Sequence, residues 1–205
     1  MRRIPTALLA LGLMLAGCAE KVWAPQDAVD RARYSHDAPA SITLITVINN
    51  RSDEGGHAAL LINGSERVIF DPAGTWWHRT VPERNDVLYG ITPTMLDFYL
   101  DYHARETWRV VLQEKQVPRE VADMAIRRVE AYGAVPKTQC SVATTRILRD
   151  IPGFEGVARN FWPHRARRDF AQIAGVAESV IRDDDDARNG DLLAAQQTAM
   201  AKQTP

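Results

Sequence analysis

Three observations predict an α+β fold, an antiparallel sheet with its helices gathered on one side. Four runs rich in β-branched and apolar residues precede residue 92, joined by short polar loops. After residue 92 apolar residues recur mostly at helical spacing, with one further strand pattern at 107–113. Neither an internal repeat nor a second hydrophobic segment breaks this order.

Each element follows from its residues. SITLITVIN at 41–49 is rich in β-branched residues, and the polar NRSDEGG at 50–56 ends it. HAALLI at 57–62 forms a second strand. Asn63-Gly64-Ser65 marks a hairpin, since Asn-Gly accepts positive φ, and RVIFD at 67–71 returns. A loop at 72–83 holds Gly74, Trp76, Trp77 and His78, and DVLYGI at 86–91 is a fourth strand. Pro93 suits a first helical turn, and Met95, Phe98, Tyr99 and Tyr102 give one face of a helix at 93–102. The strand at 107–113 places Trp108, Val110 and Leu112 on one side. Val121, Met124, Ala125, Val129 and Tyr132 line an amphipathic helix at 118–132, which Gly133 ends. Cys140, Ala143, Thr144 and Ile147 share a face of a helix in 138–148, with Pro136 before it and Thr138 as its cap. A loop at 151–160 and a helix at 163–173 follow. From Arg182 onward the four aspartates and the Ala/Gln-rich end predict a disordered tail at 182–205, and the aspartates lack the spacing of a calcium loop.

The amino terminus reads as an address. Met1-Arg2-Arg3 is a positive start, and the apolar run 7–16 is too short to span a membrane. Leu15-Ala16-Gly17-Cys18 resembles the lipobox of bacterial lipoproteins. That resemblance implies removal of residues 1–17 and lipidation of Cys18 by several acyl chains, palmitate among them, enough to hold a soluble domain firmly. The other reading is an ordinary cleaved signal with Cys18 there by chance. Ala19 is not the aspartate that retains many such proteins at the inner membrane, which points to the periplasmic face of the outer membrane. Residues 18–40, polar with Pro25 and Pro39, read as a tether, with a turn or two of helix at 27–34. The domain is then 41–181. Cleavage takes Arg2 and Arg3 from the 25 basic residues, leaving 23 against 26 acidic ones. That balance argues against a nucleic-acid partner.

With Cys18 lipidated, Cys140 has no partner in the chain. A lone thiol in an oxidising compartment is either buried and inert or kept for its reactivity. A helix start favours reactivity, because free N–H groups and the helix dipole stabilise a thiolate. A cysteine nucleophile needs a base, and the base needs a third group to fix its tautomer. Of five histidines, His36 lies in the tether, while His103 and His164 have no strand to fix them. His57 stands at the mouth of a strand, after Gly55-Gly56. Asp71 ends the next strand of the same hairpin, within reach of the ring. It either orients His57 or merely opens a turn with Pro72, in which case His78 or a backbone carbonyl takes its place. Trp76, Trp77 and His78 either wall a groove or cap the core edge. Cys140, His57 and His78 lack the close spacings of a zinc site, and no phosphate-cradling glycine motif occurs, so neither metal nor cofactor is expected.

GHAALLI at 56–62, VIFDP at 68–72 and Gln139-Cys140-Ser141 before a helix resemble the circularly permuted branch of the papain-like NlpC superfamily, which includes lecithin:retinol acyltransferase and bacterial lipoproteins. In that branch the histidine strand precedes the cysteine helix. The resemblance spans about residues 42–175 and implies a papain-like fold. It assigns Cys140 as nucleophile, His57 as base and Asp71 as orienting residue. Gln139 departs from the usual Asn or Asp beside the cysteine. The resulting expectation is a lipid-anchored envelope cysteine peptidase or amidase acting on peptidoglycan peptides. The alternatives are an acyltransferase or thioesterase acting on lipid acyl groups, and a non-catalytic binding lipoprotein of the same fold.

Overall fold

The computed structural model describes residue 19 and residues 21–201. The expected signal peptide and Cys18 lie outside the described residues. Among these, no helix is long and apolar enough to cross a membrane.

The architecture is α+β, built on one antiparallel sheet. In chain order come α1 (Gln26–Ala32), β1 (Ser41–Asn49), β2 (Gly55–Asn63), β3 (Arg67–Phe70), β4 (Glu83–Arg84), β5 (Val87–Tyr89) and α2 (Pro93–His103). Then follow β6 (Trp108–Gln116), α3 (Arg119–Glu130), α4 (Cys140–Arg149), α5 (Pro163–Phe170), β7 (Val176–Ile181) and α6 (Gly190–Ala201). The strands lie in the order β4-β5-β3-β2-β1-β6-β7. β1 is central, paired with β2 on one side and β6 on the other, and is buried at every residue but the last.

That burial on both faces corrects the expectation of helices on one side. Alternate residues of the strands enter two separate cores. Ile42, Leu44, Ala58, Leu60, Val68 and Phe70 pack against α3, α4 and α5. Ile45, Ala59, Leu61, Ile69 and Val110 pack against Tyr99, Leu100 and Tyr102 of α2. Continuous apolar strands such as SITLITVIN are the sequence signature of a sheet covered on both faces.

Three further differences have local causes. The segment expected as a tether lies on the domain: the Ala24 N–H bonds the Glu83 carbonyl, Arg84 stacks over Trp23, and Val29 of α1 is buried. A single buried valine leaves no periodicity to read. β7 had no strand signal, because VAESVI is an exposed edge strand paired only with β6. In the expected tail, α6 sets Leu192 and Leu193 against the α2-side core.

Candidate active site

His57 and Asp71 are placed by the β2–β3 hairpin. β2 and β3 pair with Leu60 opposite Phe70, so Asp71, just past β3, lies diagonally from His57 near the start of β2. Both side chains share the parity of the residues that face α2. Gly55 lets the start of α5 close over this end of β2: a Cβ there would lie 2.6 Å from Pro163 Cβ and 2.7 Å from the His164 nitrogen. Cys140 begins α4, which belongs to the other layer. Sulfur and imidazole therefore meet at the end of the sheet, from opposite faces.

The helix start is built differently from the expectation. Gln139, not Thr138, holds the N-cap position, and its side chain makes no capping bond. Thr138 sits at φ 71, a left-handed conformation that a β-branched residue adopts at a cost of about 1–3 kcal/mol. The chain turns there to present Cys140. The first bond closing the helix is Ala143 N–H to the Gln139 carbonyl, so the N–H groups of 140–142 are free of the helix ladder. The Ser141 N–H is directed at the sulfur from the helix, and the Ala58 N–H from the strand.

Asp71 is the hub. Its Oδ1 lies 2.6 Å from His57 Nε2 and accepts from the Tyr99 hydroxyl at 2.7 Å. With Nε2 so engaged, Nδ1 is the His57 nitrogen left for Cys140, and the ring and the thiol each shift the other's protonation. The carboxylate is 4% exposed, and its surroundings leave it no freedom. Asp71-Pro72-Ala73-Gly74 is a turn closed by the Gly74 N–H on the Asp71 carbonyl, with Ala73 at φ 57. The turn folds Gly74 against the carboxylate, so that a Cβ on Gly74 would lie 2.7 Å from Oδ1 and closer still to Cγ and Oδ2. The two sequence readings of Asp71 are thus both met: it opens a turn, and the turn walls it against His57.

The electrostatics are those of an ion pair. Burial alone would lower the His57 pKa, but the Asp71 carboxylate and the bonds to Asp71 and Cys140 raise it to about 10. Burial alone would raise the Cys140 thiol, but the hydrogen bond and charge of His57, with the Ala58 and Ser141 N–H groups, bring it below the ordinary range. Asp71, against its own burial, is held low by His57, with smaller help from His103 and Tyr99. The geometry favours a thiolate beside an imidazolium, a nucleophile with its proton already transferred.

His103 and Tyr99 are the residues that sequence reasoning missed. His103, set aside for want of a strand, stacks its ring on His57 at 5.7 Å and 6°. Its Nδ1 bonds the Tyr99 carbonyl at 2.8 Å, and burial lowers its pKa to about 4, which keeps the ring neutral. The signal was present: the apolar stripe of α2 through Tyr99 continues at i+4 to His103. His78 is turned instead to Thr80 and Phe98. Trp76 is 3% exposed and packs edge-on to Phe98 and Tyr99, so it belongs to the core. Trp77 lines a groove of about 680 Å³ bounded by Gly74, Asp86 and Lys137. That groove meets the site at Gly74, which packs against the Asp71 carboxylate. His57, Asp71 and His103 also bring donor atoms within 4.8 Å of one another. A cation there would have to displace the His57–Asp71 bond.

No protein-family model, curated protein or solved structure matches the chain.

Proposed function

We propose that this protein is a lipid-anchored cell-envelope cysteine hydrolase of the circularly permuted papain-like type, cleaving an amide bond in peptidoglycan peptides. The observation that carries the reading is the assembly of Cys140, His57 and Asp71 from two layers, with the imidazole bonded to the carboxylate and the thiol and ring shifted towards an ion pair. The permuted papain-like fold is supported by a histidine strand preceding a cysteine helix, with the acid one strand later in an antiparallel sheet.

In the proposed reaction the Cys140 thiolate attacks the amide carbonyl, forming a C–S bond. The tetrahedral oxyanion is met by free N–H groups at the start of α4. The C–N bond breaks as His57 gives its proton to the leaving amine. Water, deprotonated by His57, then attacks the thioester; the C–S bond breaks, the carboxylic acid leaves and the thiolate–imidazolium pair is restored. Asp71 holds the ring throughout and balances the imidazolium charge. The Cys18 anchor places this chemistry at the periplasmic face of the outer membrane, where peptidoglycan peptides are at hand.

A second reading, acyl transfer or thioester hydrolysis on lipids, is favoured by Phe161 and Trp162. These exposed aromatic residues lead into Pro163, which packs against Gly55 beside the site. The test is the mature protein incubated with purified muropeptides, or with a panel of phospholipids and acyl thioesters, and products read by mass spectrometry. Peptide products that vanish in Cys140→Ala are expected. Muropeptide cleavage by Cys140→Ala at the wild-type rate would end the hydrolase reading, and products from the lipid panel alone would replace the substrate.

A further inference from the structure

The α2 face of the sheet is only partly covered. Beyond α2, towards the end of β2, lies a cleft of about 330 Å³ floored by Thr43, Leu61 and Leu112. Its Asn63 end lies about 20 Å along β2 from His57, at about 3.3 Å per residue.

Two buried polar side chains on this cleft each keep one atom without a hydrogen-bond partner. Arg67, 8% exposed, has a buried Nε with no hydrogen-bond partner, and among the described residues no carboxylate stands within ion-pair distance of it. Burial lowers the Arg67 pKa, opposed by Tyr34 and, less, by Glu114, which is itself solvent-exposed. The other deeply buried arginine, Arg105, also leaves its Nε unpartnered but pairs its terminal nitrogens with Asp101 and Asp185. Directly across the strand pair from Arg67 is Asn63, 3% exposed. Its Nδ2 donates to the Ala38 and Pro39 carbonyls, which fixes the amide and leaves the buried Oδ1 unpaired. His36, also on the cleft, accepts from the Ala38 N–H on Nδ1, so its ring proton sits on Nε2.

A buried guanidinium without a counter-charge is costly, as is a buried carbonyl without a donor. One ligand relieves both if it presents an anionic acceptor beside an N–H. We propose that this cleft binds a small carboxylate bearing an adjacent N–H, as at the carboxyl end of a short peptide or an acylated amino acid. The carboxylate takes Arg67 and the His36 Nε2–H, and the neighbouring N–H donates to Asn63 Oδ1. The cleft volume suits a group of this size. The site is independent of Cys140 and of the reading given to it.

The test is calorimetric titration of the mature protein with N-acetylglycine. N-acetylglycinamide, which lacks the charge, and acetate, which lacks the N–H, serve as controls alongside inorganic phosphate. N-acetylglycine is expected to bind with a dissociation constant on the order of 1 mM, as suits so small a ligand. The controls are expected to bind at least about ten-fold more weakly. Arg67→Lys keeps the charge but loses the planar fork, and is expected to weaken binding by about ten-fold or more. Ser179→Trp, from the exposed edge strand, obstructs the cleft without touching Arg67 and is expected to abolish binding. It keeps the test decisive if Arg67→Lys fails to fold. Equal binding of the amide or of phosphate, or no binding of N-acetylglycine, would overturn the proposal. So would a crystal soaked with N-acetylglycine that holds only a water between Arg67 and Asn63.

Discussion

Gly74→Ala is the sharpest probe of how the candidate site is held. The φ of Gly74 lies outside the left-handed region, so its backbone would accept alanine. What forbids a side chain is the Asp71 carboxylate. To give a methyl ordinary contact distance, the carboxylate or the turn must shift by about 1.5 Å. Oδ1 carries both the His57 bond at 2.6 Å and the Tyr99 bond at 2.7 Å, so a shift of that size breaks both. Two buried bonds to a charged group make the loss about 3–5 kcal/mol. A misplaced base costs about 10²-fold in activity. The assays are denaturant unfolding and the rate of Cys140 alkylation by iodoacetamide near neutral pH. A double-mutant cycle separates this mechanism from general damage to the loop. In an Asp71→Ala background the obstructing carboxylate is gone, and the cost of Gly74→Ala should fall by about 2–3 kcal/mol. An equal cost in both backgrounds, or an unchanged alkylation rate in the single variant, would refute the reasoning.

Two further predictions concern protons. Cys140 alkylation should switch on at a pH below the ordinary thiol range and stay flat through neutrality, because His57, raised to about 10, remains protonated there. By linkage, the stability His57 contributes is fully present below its ordinary value near 6.5 and is lost as pH rises through about 10. In His57→Ala only the Ala58 and Ser141 N–H groups still oppose the burial of the thiol, and the alkylation limb should move up in pH; a limb that stays put would separate the pair. Asp86 presents the opposite carboxylate case. Burial raises it to about 6 against the N–H bonds from Val135 and Ala73, so its stabilising share is lost as pH rises from about 3.8 through about 6. That shift amounts to about 3 kcal/mol. Denaturant unfolding of Asp86→Asn should therefore gain on wild type by about that amount between about pH 4 and about pH 8, and parallel pH profiles would contradict it.

The sequence by itself determined a good deal. β1 emerged with its bounds intact, because the unbroken run Ile42–Ile48 closed by a polar loop leaves no other reading. α3 and α4 emerged from their 3.6-residue stripes, and Cys140 at a helix start and His57 near a strand start followed from the same local patterns. Local periodicity is a property of neighbours in the chain, which is why it can be read there. The rest depended on groups distant in sequence. Which helices cover which face of the sheet was decided by packing, since an apolar strand does not name the layer that lies on it. That Asp71 meets His57 depended on hairpin register together with the bare Cα of Gly74. That His103 stacks on His57 depended on where α2 docks, a contact across 46 residues. Only the folded chain sets buried charges beside one another, and their balance of desolvation against Coulomb attraction is what favours a thiolate at Cys140.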